Sequence, residues 1–163
     1  MAYTSREIAA DRARVFAVLT DPHTYPAWLV GNVEVQEVDD GFPEPGTGFR
    51  HQVGAWPLTI ADHSVVMDVE QDRLLRLDVR ARPFVRAVAT FRLVGEGDVT
   101  VVSFEEQPPP GLVGRIIGFL VEPLAHVRNH TSLRRLADYL EDGAGATHDE
   151  PGRDETGRDV GTG

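Results

Sequence analysis

The stretch 84–94, FVRAVATFRLV, decides how the chain folds. Val85, Ala87, Ala89, Phe91 and Leu93 fall at every second position, with Arg86, Thr90 and Arg92 between them. Successive side chains of an extended strand point to opposite faces, so this alternation makes one apolar and one polar face. The same pattern recurs at 49–56 (FRHQVGAW), 58–70 (LTIADHSVVMDVE), 73–81 (RLLRLDVRA) and 99–107 (VTVVSFEEQ). The runs are separated by WP, QD, RP and GEGD. Strand-length runs punctuated by short turn formers predict an antiparallel meander of hairpins. Such a sheet can be apolar on one side and wet on the other.

Upstream, YTSREIAA (3–10) reads as a first strand, and DRARVFAVLTD (11–21) as a helix capped by Asp11, with Val15 and Leu19 on one face. Pro22 suits only a helix start and Pro26 interrupts a long helix, so 21–29 (DPHTYPAWL) predicts short helical turns presenting Tyr25, Trp28 and Leu29. A strand at 32–40 and the turn-rich loop 41–48 (GFPEPGTG) lead into the meander. After PPPG, residues 112–140 read as one long helix with two apolar stripes. Val113, Ile116, Leu120, Leu124 and Val127 make the first, and Leu133, Leu136 and Leu140 the second. The stripes do not align at 100° per residue, so a bend near Gly118 and Pro123 is expected. The fold class is α+β: two short helices after the first strand, then the sheet, then the long helix.

The 163-residue length accommodates one domain with a true core. Residues 143–163 are rich in Gly, Asp and Glu and carry almost no large apolar side chain. They cannot bury enough surface to offset their ordering entropy, so a disordered acidic tail is expected after a domain spanning 1–142. The formal charge of -10, with no cluster of basic residues, argues against nucleic acid as a partner. The absence of cysteine excludes disulfides, thiolate nucleophiles and Cys-ligated zinc. The N-terminal segment lacks an apolar signal core, and the longest apolar run, 114–125, is shorter than a membrane span and interrupted by Glu122 and Pro123. A cytoplasmic protein without stable membrane insertion is expected.

Three segments, VFAVLTDPHTYPAWL (15–29), PGTGFR (45–50) and RNHTSLRRLADYLE (128–141), together with the order of elements, carry a resemblance. From about Tyr3 to Asp142 the chain resembles the START-like, or helix-grip, superfamily (SRPBCC) of polyketide cyclases/dehydrases and lipid-transport proteins. The resemblance implies a curved antiparallel sheet of about seven strands wrapped around the long C-terminal helix, with a deep apolar cavity between them. It implies a small hydrophobic partner, cyclic, lipid-like or polyketide-like. Some members also perform cyclisation, dehydration or condensation on such molecules. Fold alone does not choose between a binding module and an enzyme of the cyclase/dehydratase kind.

The candidate side chains come from the residues themselves. Ala87 and Ala89 are small at consecutive inward positions, leaving room for a ligand or for close helix–sheet packing, and Phe91 continues their face. Phe119 lies on the long helix toward the same space. Further along it, Glu122, His126 and Asn129 share one face at i, i+4 and i+7, with His130 about 40° aside. This polar group is either a proton-transfer site at the cavity mouth or a solvent-side pair. His51 alternates with Phe49 and Val53, and His63 with Ala61, Val65 and Met67, so both are expected on the apolar side of their strands. His51, His63, Glu122 and His126 are thus the catalytic candidates. Tyr25, Trp28 and Trp56 are candidate cavity or lid aromatics, with packing onto the sheet as the other reading. Which of Glu105 and Glu106 faces inward is left open by the pattern. No cofactor or metal is expected, because GxGxxG, GKS/T and HExxH are all absent. GxSxG is absent too, and Ser64, Ser103 and Ser132 lie mid-element.

Overall fold

A computed structural model describes residues 2–55, 58–81, 85–107 and 112–146, and the side chains of 2–54, 59–80, 86–107 and 124–143. Seven strands form one antiparallel sheet: β1 (Ala2–Ile8), β2 (Asn32–Val38), β3 (Gly48–Ala55), β4 (Leu58–Glu70), β5 (Leu74–Ala81), β6 (Val85–Glu96) and β7 (Val99–Gln107). Their order is β1-β7-β6-β5-β4-β3-β2, so β2 to β7 pair as consecutive hairpins and β1 closes beside β7. Helix α1 (Arg12–Leu19), a 3-10 turn (Pro22–Thr24) and α2 (Tyr25–Trp28) follow β1, and α3 (Leu112–Ala146) ends the described chain. This is the expected helix-grip arrangement. Irregular pairing between Asn32 and Glu34, Val35 and Glu37, and Val66 and Asp68 adds local bends to the strands on that side of the sheet.

Local chemistry explains the starts of the short helices. The Asp11 carboxylate accepts the Arg14 N–H at 2.9 Å, satisfying one of the free donors of the first turn of α1. Asp21 does the same for His23 at 3.0 Å, with Pro22 at a position that has no N–H to lose. Tyr25 and Trp28 are then turned inward, where their rings meet edge to face at 5.0 Å. Tyr25 also packs on Phe49 at 5.2 Å, and Trp28 on Phe91 at 6.1 Å. Edge-to-face pairs of this kind contribute about 0.5–1.5 kcal/mol each beyond the area they bury.

Helix α3 runs unbroken through Gly118 and Pro123. Leu133, Leu136, Ala137 and Leu140 join Trp28, Phe91 and Phe104 in the core. Leu124 and Val127, by contrast, are 73% and 63% exposed. The expected first stripe therefore does not face the sheet at these positions, because one continuous helix cannot bury two stripes on different sides. The helix also extends to Ala146, past the expected start of the tail at Gly143, and the remainder of the tail lies outside the described residues.

Candidate functional site

Cross-strand partners share a face, so the pairing fixes which side chains form the concave floor. His51 lies opposite Asp62, Val53 opposite Ile60, Ser64 opposite Val79, and Leu77 opposite Ala89. At one end of the floor Phe49, Val66, Leu75, Leu77, Ala89 and Phe91 are buried. Toward the β3–β4 and β5–β6 turns, Val53, Val79 and Ala87 are half-buried and Ile60 is 46% exposed. The floor passes from sealed to open along the strand direction, and it is apolar at both ends.

A polar group sits at the boundary. Asn32, His51, Asp62 and Ser64 are all buried and all point from the concave side of β2, β3 and β4. The Asn32 amide nitrogen lies 2.7 Å from Nδ1 of His51, and Ser64 Oγ lies 3.1 Å from Nε2. With an amide N–H donated to it, Nδ1 is the acceptor, and a neutral ring carries its proton on Nε2. Nε2–H is then donated to Ser64, with Asp62 Oδ2 also 3.3 Å from that nitrogen but without a directed hydrogen bond. Asp62 Oδ1 accepts the backbone N–H groups of His63 at 2.6 Å and Arg80 at 3.0 Å, which locks the carboxylate between β4 and β5. In this tautomer His51 cannot take a proton from Ser64, so the arrangement is not a serine nucleophile with its base.

A second polar group ties the helix to the sheet. Glu106 faces inward opposite Ala89, while Glu105 faces out, which settles the register that the sequence pattern leaves open. The guanidinium of Arg128 grips both oxygens of the Glu106 carboxylate, and Asn129 Nδ2 donates to the same group at 2.9 Å. On the opposite, convex face Asp78 is held by Arg80 and Arg86. Burial pushes the Asp78 carboxyl up, but hydrogen bonds from Arg86 and Arg80 and their charges outweigh it and hold the group below its ordinary 3.8.

Residues 2–141 match the family described as polyketide cyclase / dehydrase and lipid transport. The chain belongs to this family. Among solved structures, protein CV1439 from Chromobacterium violaceum superposes with a TM-score of 0.66 at 17% identity, covering 85% of this chain and 96% of that one. The Zhui aromatase/cyclase from Streptomyces sp. R1128 gives 0.64 at 15% identity, covering 88% and 94%. CalU16 from Micromonospora echinospora gives 0.59 at 17%, covering 85% and 72%. At such identities the likeness is one of fold. No curated protein matches the chain.

Within this member of the polyketide cyclase / dehydrase and lipid transport family, the expected site residues separate. His51, Ala87, Ala89 and Phe91 line the concave floor. His63 does not: it is exposed on the convex face, because His51 pairs with Asp62 and the neighbouring residue must point the other way. His126 is exposed while Asn129 is fully buried, so the two do not converge, and Asn129 serves Glu106. Tyr25 and Trp28 are core residues: the Tyr25 hydroxyl donates to Leu19 O at 2.6 Å and Trp28 Nε1 to Thr24 Oγ1 at 3.1 Å. Trp56 and the side chains of Phe119 and Glu122 lie outside the described residues. Among the described residues no three His, Asp or Glu side chains gather as a metal site, and no helix is long and apolar enough to cross a membrane.

Proposed function

We propose that the protein binds a small, mainly apolar molecule on the open part of the concave floor. The observation that carries this reading is the gradient of exposure over inward apolar positions, from buried Leu77 and Ala89 to half-buried Val79 and Ala87 and exposed Ile60. Apolar side chains on the inner face of a sheet are left open to solvent at a cost that a hydrophobic ligand removes. Covering roughly 250 Å² of ligand surface at about 25 cal/mol per Å² contributes about 6 kcal/mol before association costs, so apolar burial alone supports weak binding and polar contacts must add to it for tight binding. Membership of a family that includes lipid transport, and fold likeness to an aromatase/cyclase, support a small-molecule role. The test is titration calorimetry with tetralin and 2-tetralone as probes. The wild-type chain binds them, and Ala87→Phe, which fills the half-open floor, weakens both by at least about tenfold. Absence of binding to any apolar probe overturns the reading.

A second reading, proton transfer on the bound molecule, is favoured by one observation. His51 Nε2 and Asp62 Oδ2, two titratable groups, lie 3.3 Å apart on that floor. Its test is exchange of the α-hydrogens of 2-tetralone in deuterated buffer, followed by NMR. An enzyme accelerates the exchange over buffer, and His51→Gln abolishes the acceleration while tetralin still binds.

A further inference from the structure

Two acceptor atoms on the concave floor are buried without a hydrogen-bond partner: Oδ1 of Asn32, a residue 8% exposed, and Oδ2 of Asp62, a residue 4% exposed. Leaving an acceptor unpaired in the interior is costly, and more so for a carboxylate. Asp62 is not adrift, since Oδ1 is fixed by two backbone N–H groups, so Oδ2 is held in place without a directed hydrogen bond, with His51 Nε2 3.3 Å away but committed to Ser64. Beside it, Ser64 Oγ accepts from His51, and its own proton has no acceptor among the described residues. One free acceptor and one free donor thus stand on neighbouring inward positions of β4. The next inward position toward the open end is the exposed Ile60.

We infer that this pair reads a hydroxyl group on an otherwise apolar ligand, the ligand's O–H donating to Asp62 Oδ2 and its oxygen accepting from Ser64. A hydroxyl supplies one proton and lone pairs, matching both vacancies at once. A ketone can only accept, so it satisfies Ser64 and leaves Asp62 unpaired. An ammonium would pair with the Asp62 charge, but it has no lone pair to accept from Ser64 and gives up its whole hydration shell in a buried site. Sites that bond a substrate hydroxyl discriminate strongly against the analogue that lacks it, because the protein groups are then stranded. The inference rests on the binding reading above and adds the chemical class of the ligand.

The experiment compares 2-tetralol, 2-tetralone and tetralin by titration calorimetry, with circular dichroism melts of each variant. Wild type is expected to bind the alcohol at least about tenfold tighter than tetralin and several-fold tighter than the ketone. In Asp62→Asn the amide keeps the backbone contacts through its oxygen and presents N–H groups where Oδ2 was. The ranking of alcohol and ketone then reverses. Ser64→Ala, a smaller change that retains the fold if Asp62→Asn does not, reduces the alcohol's advantage over tetralin about three- to tenfold. If wild type binds all three probes equally, the pair does not read a hydroxyl and the inference fails while apolar binding stands. If none binds, the binding reading itself fails.

Discussion

The amide nitrogen of Asn32 stands 2.7 Å from Nδ1 of His51, and this single contact fixes which ring nitrogen carries the proton. Asn32→Asp replaces the donor by an acceptor and draws the proton to Nδ1. Nitrogen-15 NMR of the His51 ring is expected to show Nδ1 changing from unprotonated to protonated on this substitution. Because the residue is buried, the variant is also expected to lose about 1–3 kcal/mol of stability.

Tyr25 couples the short helices to pH. Burial, with a smaller contribution from the charge of Asp21, raises its phenol well above the ordinary 10.0. A group whose folded pKa exceeds its unfolded one stabilises fully below the unfolded value and loses that contribution as pH rises toward the folded value. Chemical denaturation of the wild type should therefore show stability declining from about pH 10 upward. Tyr25→Phe removes that part of the decline and, by stripping Leu19 O of its 2.6 Å hydrogen bond, costs about 1–2 kcal/mol at neutral pH.

Asp78 has the opposite sign. Its carboxyl is held below 3.8, so its contribution is complete above the unfolded value and is lost as pH falls through the folded one. Arg80 and Arg86 are largely solvated, which screens the cluster and keeps its contribution modest. Asp78→Asn is expected to lower Tm by a few degrees at pH 7. The difference from wild type closes as the melts are repeated toward pH 2.

Gly48 allows β3 to lie against β4. A Cβ there would collide with the Ser64 carbonyl oxygen, which is backbone and cannot swing aside. Gly48→Ala is expected to cost about 1–3 kcal/mol and, by displacing β4 beside Ser64, to weaken alcohol binding more than tetralin binding. Melts and calorimetry on one preparation check both.

The order of elements and the inner face of β6 are legible in the residues, because Ala87, Ala89, Phe91 and Leu93 alternate cleanly with polar neighbours. The same logic misplaces His63, and the reason is physical. On β4 the apolar alternation is inverted: Asp62 and Ser64 point inward, while Ala61, Val65 and Met67 point outward. A periodicity rule assigns the apolar set to the core, so it fails where the core face carries the polar site. The pairing of Ala55 with Leu58 decides the matter. It makes odd positions of β3 face even positions of β4, so His51 and His63 cannot share a side. Asn32, Asp62 and Ser64 become visible as site residues only once that pairing is applied. On α3, spacing alone groups His126 with Asn129, but among the described residues of the helix burial begins at Asn129 and continues through Ser132, Leu133, Leu136, Ala137 and Leu140. Of the two, only Asn129 is enclosed.

The place of β1 in the sheet has a consequence for how the molecule is made. Among the described residues Ala2–Ile8 pairs only with β7, whose residues begin at Val99, so β1 waits for nearly the whole meander to be made before it finds its neighbour. Local hairpins assemble quickly, whereas joining chain segments about 90 residues apart is slow. Until that closure one margin of β7 is an unpaired edge, and the nascent chain is at its most adhesive then.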